Sequence, residues 1–243
     1  MSRILALALA AAAATATVTA APRPAGADCA MFGLTPRVVN GKTAALVDGE
    51  GGLVVAAVST HASEIPMGDV TVQKGWMFDV RGKRTAATVE QLAPGLSVYR
   101  LPSPPSDLPL RDEKGASLGT LRRGVAGAPR LAAPKVQKIE HVSVHGRRSA
   151  SHVAVTLDGD PPADALVMVL ADATGLPRSW SLVDHASATK QTQIPFATRD
   201  CVVLPNGTRE TKANDKVLVY WIDAAGRRSN ATKAVTVGPI GLP

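Results

Sequence analysis

The residues of this 243-residue chain that could do chemistry are few and scattered. Asp158, Asp160 and Asp164 in LDGDPPADAL place three carboxylates within seven positions, and hard oxygen donors on one loop are what a calcium ion takes. The stretch lacks the further ligands and the turn glycine of an EF-hand, so a solvated acidic turn stiffened by Pro161-Pro162 is the plainer assignment. His141 and His145 fall on one face of an extended strand, and imidazole pairs suit copper or zinc. At a rise near 3.3 Å per residue they stand about 13 Å apart and would need a bulge to share an ion. These five residues are the metal candidates, and no other cofactor is implied.

Hydrolysis needs a nucleophile, a base and an orienting acid. Ser63, Ser151 and Ser187 each lie near a histidine in sequence, but none stands in a G-x-S-x-G elbow. The expectation is a protein that is not an enzyme. Trp76, Trp180 and Trp221 could stack on sugar rings, yet each is isolated, and the alternation around Trp221 turns it inward to a core. The triplets NGT at 206 and NAT at 230 match glycosylation acceptors by chance in a bacterial-type chain.

Two cysteines, Cys29 and Cys201, complete the inventory. An even count without a CxxC motif, in a chain bound for an oxidising compartment, points to an intramolecular disulfide tying the mature N-terminus to the C-terminal domain. Separate thiols and an intermolecular bond are the alternatives, and Arg199 near Cys201 leaves room for a lowered thiol pKa there.

Export itself is read from MSRILALALAAAAATATVTA, where Arg3 precedes a short apolar run and small residues follow. Cleavage after Ala27 is favoured over cleavage after Ala20. Asp28 before Cys29 and Gly26 three before it do not fit a lipidation site. The leading apolar run is too short and alanine-rich to span a bilayer, and nothing later approaches the necessary length, so no membrane span is expected in the mature chain. Periplasm, cell surface or extracellular space follows as the location.

Removing Arg3 and Arg23 with the signal takes the formal charge from +7 to +5. The doublets Arg122-Arg123, Arg147-Arg148 and Arg227-Arg228, with RGKR at 81 to 84, could gather into an anion-binding patch, although turn positions make solvated pairs the plainer assignment. Aromatic residues make up 3% of the chain, too few for stacking platforms, so no nucleic acid is expected. The expected partner is an envelope protein or a polysaccharide.

The elements that must position these residues are strands. Gly and Pro, 21 and 18 in number, punctuate short runs rich in Val, Leu and Thr, and no helical periodicity follows the signal. In the C-terminal half the spacing predicts strands at Val136–Val144, His152–Leu157, Ala165–Ala171, Ser179–Val183, Gln191–Pro195, Lys216–Asp223 and Ala231–Val237. KVLVYWID is the clearest, with Val217, Val219 and Trp221 on one face and Leu218, Tyr220 and Ile222 on the other. In the N-terminal half runs at Arg37–Val39, Leu53–Ser59, Asp69–Val80, Ala87–Gln91, Leu96–Leu101 and Ser117–Leu121 read as strands. GVAGAPRLAAPK at 124 to 135 lacks alternation and reads as a connector. The division is a signal at 1–27, an N-terminal β-sandwich at 28–128, a linker at 129–135 and a C-terminal β-sandwich at 136–243.

VLVYWIDAAGRRSNATKAVTV resembles the last two strands of bacterial fibronectin type III and related immunoglobulin-like domains, with Asp223, Ala224, Ala225 and Gly226 carrying the turn. QLAPGLSVYRL is similar to the L-x-P-G-x-x-Y run before the sixth strand of that family, where a tyrosine hydroxyl bonds back to the corner's backbone. Val98 stands at the family's tyrosine position and Tyr99 one beyond, so no tyrosine corner is expected. The resemblance implies an all-β fold of two such sandwiches in tandem, and it implies no ligand. The function expected is a non-enzymatic exported binding or structural module of the bacterial envelope, with a metal- or glycan-binding sandwich as the alternative.

Overall fold

Strand-forming residues dominate from Leu34 onward, and the computed structural model of the chain is all-β. It describes residues 34–59, 77–102, 104, 106–111, 114–144, 150–183, 185, 193–197 and 211–241. The segment 1–27 expected to be a signal, Cys29, Cys201, His145, Trp76, Ser63 and Ser187 lie outside the described residues, as does the Arg147-Arg148 doublet. Among the described residues there is no helix, and none therefore long and apolar enough to cross a membrane.

The N-terminal half supplies β1 (Leu34–Val38), β2 (Ala45–Val47), β3 (Glu50–Gly51), β4 (Leu53–Ser59), β5 (Met77–Val80), β6 (Lys83–Ala86), β7 (Thr88–Ala93), β8 (Leu96–Arg100), β9 (Leu108–Arg111) and β10 (Ser117–Arg123). The C-terminal half supplies β11 (Val136–Val144), β12 (Ala150–Leu157), β13 (Ala165–Asp172), β14 (Pro177–Leu182), β15 (Gln193–Ala197), β16 (Lys216–Asp223), β17 (Val235–Thr236) and β18 (Gly238–Gly241). Two short hairpins close on type I′ turns, in which both central residues take positive φ. Asp48 and Gly49, at φ 51° and 79°, join β2 to β3; Arg81 and Gly82, at 52° and 77°, join β5 to β6.

Four sheets result, and none closes into a barrel. Sheet I has the order β1-β4-β8-β7, and sheet II the order β3-β2-β10-β9-β5-β6. Sheet III runs β14-β13-β16-β17, and sheet IV runs β15-β12-β11-β18. Most neighbours are antiparallel, but β2 joins β10 and β18 joins β11 in parallel.

Side-chain alternation explains how the sheets stack. Along β4, Leu53 and Val55 enter a cluster with Phe78, Leu110 and Leu121 of sheet II, while Val54 and Ala56 enter a second cluster on the opposite face. That second cluster is shared with sheet III, since Val167 and Val169 of β13 and Tyr220 and Ile222 of β16 belong to it. The alternate residues of the same two strands, Met168, Leu170, Val217, Val219 and Trp221, turn to a third cluster with Ile139, Val153 and Val155 of sheet IV. The four sheets therefore stack in the order II, I, III, IV with an apolar layer in each gap. Residues 53–56 of β4, with β13 and β16, are buried on both faces, which is why LVVA and VLVYWI carry almost no polar residue.

The connecting segment 124–135 contains no strand, as its composition predicts, but it is fastened along its length. Gly124 N–H donates to Leu46 O at 2.9 Å, Gly127 N–H to Asp48 Oδ2 at 3.0 Å, and Arg130 pairs with Glu50.

The strand expectations for β11 and β16 match residue for residue. The last strand differs. The chain after Gly226 runs beside β16, but Ser229 Oγ and Thr232 Oγ1 accept hydrogen bonds from Trp221 N and Val219 N at 2.9 and 3.1 Å. These hydroxyls take the place of backbone acceptors, so regular pairing is confined to β17, after which β18 crosses to sheet IV. In the N-terminal half, β2, β3 and β9 lie in segments whose alternation is too short to read.

Candidate functional site

The structure keeps His141 apart from Asp158, Asp160 and Asp164, and His145 lies outside the described residues. Asp158, Asp160 and Asp164 are exposed on the turn from β12 to β13, where Asp158 N–H bonds to Lys135 O at 2.8 Å and Asp164 O accepts Ala224 N–H at 2.8 Å. His141 lies on β11 opposite Val153, five residues up β12 from Asp158, or about 16 Å along the strand. Its parity is that of Ile139, so it points to the core side and is 8% exposed. Nε2 of His141 meets no hydrogen-bond partner among the described residues. No group of three or more His, Cys, Asp or Glu is arranged to hold a metal ion among the described residues. His185, whose Nε2 lies 2.6 Å from Ala165 O, is tied to the edge of β13.

Two tryptophans are packed in the interior. Trp221 is buried between sheets III and IV, and Trp180 between sheets I and III, so neither presents a face to a sugar.

The polar side chains that the fold does gather lie where the two halves meet. Two groups grip the Leu92–Gly95 corner between β7 and β8. Trp180 Nε1 donates to Pro94 O at 2.7 Å, and the Tyr220 hydroxyl donates to Leu92 O at 3.4 Å. The sequence likeness drew attention to this corner for a tyrosine of its own strand. Here Val98 fills the layer between sheets I and III, Tyr99 fills the layer between sheets I and II, and the corner is bonded from the other half of the chain. Burial pushes the Tyr220 phenol up to about 12, aided by Glu90 and opposed by Arg228, whose guanidinium carbon sits 3.8 Å from the ring centroid. Burial likewise raises Tyr99 to about 12.

The second grip is at the Asp223–Gly226 turn. Gly226 takes φ 82°, as the sequence requires, and its N–H closes on Asp223 O at 2.8 Å. Gly52, at φ 141°, donates its N–H to Ala225 O at 2.9 Å. A Cβ on Gly226 would stand 2.6 Å from Gly52 O, so the approach of the two backbones depends on glycine. Asn40, 3% exposed, donates through Nδ2 to Gly52 O at 2.8 Å and Ala224 O at 3.1 Å, and its Oδ1 accepts Val54 N–H at 2.7 Å. Thr43 Oγ1 donates to the same Ala224 O at 2.8 Å.

Arg227 links this turn to the connector. Its Nε donates to Asp223 Oδ2 at 2.9 Å, Nη1 to Ala128 O at 2.7 Å and Nη2 to Pro129 O at 2.9 Å, while Asp223 Oδ1 accepts the Arg227 backbone N–H at 2.8 Å. The pair is 9% and 5% exposed at its side chains. The Arg227-Arg228 doublet is therefore not a solvated turn: one member is a buried fork shared by three acceptors, and only Arg228 is exposed. Sequence reasoning missed Asn40 and read Arg227 as a solvated or anion-binding residue, because what marks them is the carbonyls they meet from distant segments.

Elsewhere, Arg178 lies between Asp172 and Asp215 at 3.3 and 3.4 Å. Burial works to raise the Asp172 carboxyl, but hydrogen bonds from the Thr174 hydroxyl, the N–H groups of Leu176 and Thr174, and Arg178 outweigh it and hold the carboxyl below its usual value. These groups brace the β13–β14 hairpin.

No protein-family model matches the chain, and no curated protein matches it. Its chemistry is therefore argued from these contacts alone. Most of the gathered donors and acceptors are buried or half-buried and bonded to one another or to backbone carbonyls, an arrangement that fixes position.

Proposed function

We propose that the chain is a non-enzymatic, exported binding or structural module of a bacterial envelope, built as two immunoglobulin-like or fibronectin-like sandwiches fused into one rigid body. The observation that carries this reading is the apolar layer between sheets I and III. Domains joined by a linker alone move relative to each other, whereas a large apolar interface suppresses that motion. Each fully buried Val, Leu or Ile contributes about 1.5–3 kcal/mol, and the layer holds several from each half.

Strand order supports the two-sandwich division. In the C-terminal half the first, second, fifth and eighth strands share sheet IV, and the third, fourth, sixth and seventh share sheet III. Placing first, second and fifth strands against third, sixth and seventh follows the constant-type immunoglobulin partition, from which the fourth strand departs by joining the third and the eighth by adding to the first. A body of this kind suits presentation: its interior polar groups hold the halves in register, and its turns and outer sheets are left for partners.

Expression of residues 1–243 in a bacterial host, followed by fractionation and intact-mass measurement, tests the reading. Recovery from the periplasm or medium with the chain starting at Asp28 is expected. Recovery from the cytosol with residues 1–27 attached would overturn it.

A further inference from the structure

We propose that Asn40-Gly41 is a modification site: a succinimide-forming pair that the closed junction between the two halves keeps unreactive, and that reacts when the junction opens. The proposal stands on the geometry of the junction and does not depend on the envelope reading.

An asparagine followed by glycine is prone to lose its side-chain amide, because glycine has no Cβ to block the approach of its own nitrogen. The Gly41 nitrogen attacks Cγ of Asn40, and the new N–C bond closes a succinimide ring. The Cγ–Nδ2 bond breaks, and ammonia leaves with the proton that the Gly41 amide gives up. Water then opens the ring at Cγ, giving aspartate, or at the main-chain carbonyl, giving isoaspartate. One water enters and one ammonia departs, with no change of oxidation state. The turn itself does not require this glycine. Gly41 has no positive φ, and a Cβ on it would meet Val38 Cγ1 at 3.4 Å and Gly119 Cα at 3.7 Å, ordinary contact distances.

The closed junction withholds the reaction. Asn40 is 3% exposed, and its amide is held at both ends: Nδ2 gives its two hydrogens to Gly52 O at 2.8 Å and Ala224 O at 3.1 Å, and Oδ1 accepts Val54 N–H at 2.7 Å. Ring closure swings Cγ toward the Gly41 nitrogen and expels Nδ2, which breaks these bonds. The Asp223–Gly226 turn seals the site from the other half of the chain. When it leaves, Ala224 O is lost as an acceptor, and Gly52 loses the Ala225 O that receives its N–H at 2.9 Å. Asn40 therefore reacts in proportion to the time the junction spends open.

The product cannot restore the contact. Aspartate sets a carboxylate oxygen against Gly52 O and Ala224 O, acceptor against acceptor, where two N–H donors stood. Isoaspartate lengthens the main chain by a methylene and takes away the Asn40 carbonyl that receives the N–H groups of Thr43 and Ala44 at 2.9 and 2.7 Å. Opening long enough to react is thus recorded in one direction only.

The full chain is held in mildly alkaline buffer, folded or in urea, and the tryptic peptide of residues 38–42 is followed by mass spectrometry for loss of the amide. Reading that peptide separates Asn40 from Asn206, which also precedes a glycine. Reaction in the folded chain is expected to be about a hundredfold or more slower than in urea, as for a junction open one time in a hundred or less. Gly226→Ala, whose Cβ would stand 2.6 Å from Gly52 O, should react roughly tenfold faster than the unmodified folded chain. Arg227→Lys, which loosens the same turn, should fall between and carries the test if Gly226→Ala does not fold. Gly41→Ala should slow the reaction in urea while leaving the folded circular dichroism unchanged. Asn40→Asp should lower the thermal midpoint, and Asn230→Asp, the same change at an exposed position, should not. Equal rates folded and in urea, no acceleration in either turn variant, or an Asn40→Asp chain with the unmodified midpoint would overturn the proposal.

Discussion

Trp180 donates its indole N–H to the carbonyl oxygen of Pro94 at 2.7 Å, across 86 residues of sequence. The bond joins a strand of the C-terminal half to a turn of the N-terminal half, and both partners border the apolar layer shared by sheets I and III.

Trp180→Phe keeps most of the apolar area and removes the donor, so it isolates the bond. A loss of about 1–2 kcal/mol is expected, because Pro94 O is left unpaired. Trp180→Ala should cost about 3–5 kcal/mol through the cavity it opens. Urea unfolding of both variants measures the difference; a Trp180→Phe chain as stable as the unmodified one would mean that the N–H contributes nothing.

Arg227→Ala leaves Asp223 buried without its partner and frees the carbonyls of Ala128 and Pro129. Breaking one side of a buried ion pair typically costs about 3–5 kcal/mol. Arg227→Lys should recover only part of this, since an ammonium cannot serve the carboxylate and two carbonyls in the fork's geometry. Limited proteolysis reports the mechanical effect: cleavage between Gly124 and Lys135 should be faster in Arg227→Ala than in the unmodified chain, and an unchanged rate would dissociate the arginine from the connector.

Tyr99 and Tyr220 give the chain an alkaline limit. Both folded values are pushed by burial to about 12 from an ordinary 10.0, so the neutral ring is favoured in the folded state. Their contribution is complete below about pH 10 and is lost as pH rises through 12. The denaturation midpoint should decline across that window, and Tyr220→Phe should make the decline shallower. A midpoint that is flat from pH 10 to 12 contradicts the burial of both phenols.

His141→Leu should hold stability level or raise it by about 1 kcal/mol, because it replaces a buried imidazole whose Nε2 lacks a partner among the described residues. A marked loss in thermal midpoint would show that the imidazole has a bonded role.

Much of the fold was legible because its signals are local. Alternation in KVLVYWID gave both faces of β16 correctly, and the demand for positive φ after Asp-Ala-Ala placed Gly226 in its turn. Asp48-Gly49 is an equally local hairpin signal, but the flanking strands are too short for alternation to support it. The junction was not legible. An apolar run buried on both faces looks alike whether its second face meets a neighbouring layer of its own half or of the other half. The carbonyls of Leu92, Pro94 and Ala224 carry no sequence signature as acceptors for Tyr220, Trp180 and Asn40, which are 128, 86 and 184 residues away. The candidate ligands Asp158, Asp160 and Asp164 were read as a loop, and the fold leaves them on one, where they form no metal-holding group of three or more His, Cys, Asp or Glu among the described residues.

Differential scanning calorimetry of the chain tests the shared layer most directly, since two halves fused through sheets I and III should lose their structure together. One transition is predicted, with calorimetric and van't Hoff enthalpies in a ratio near 1. Two resolved transitions, or a single broad one with a ratio approaching about 2, would contradict the fusion of the two halves into one body.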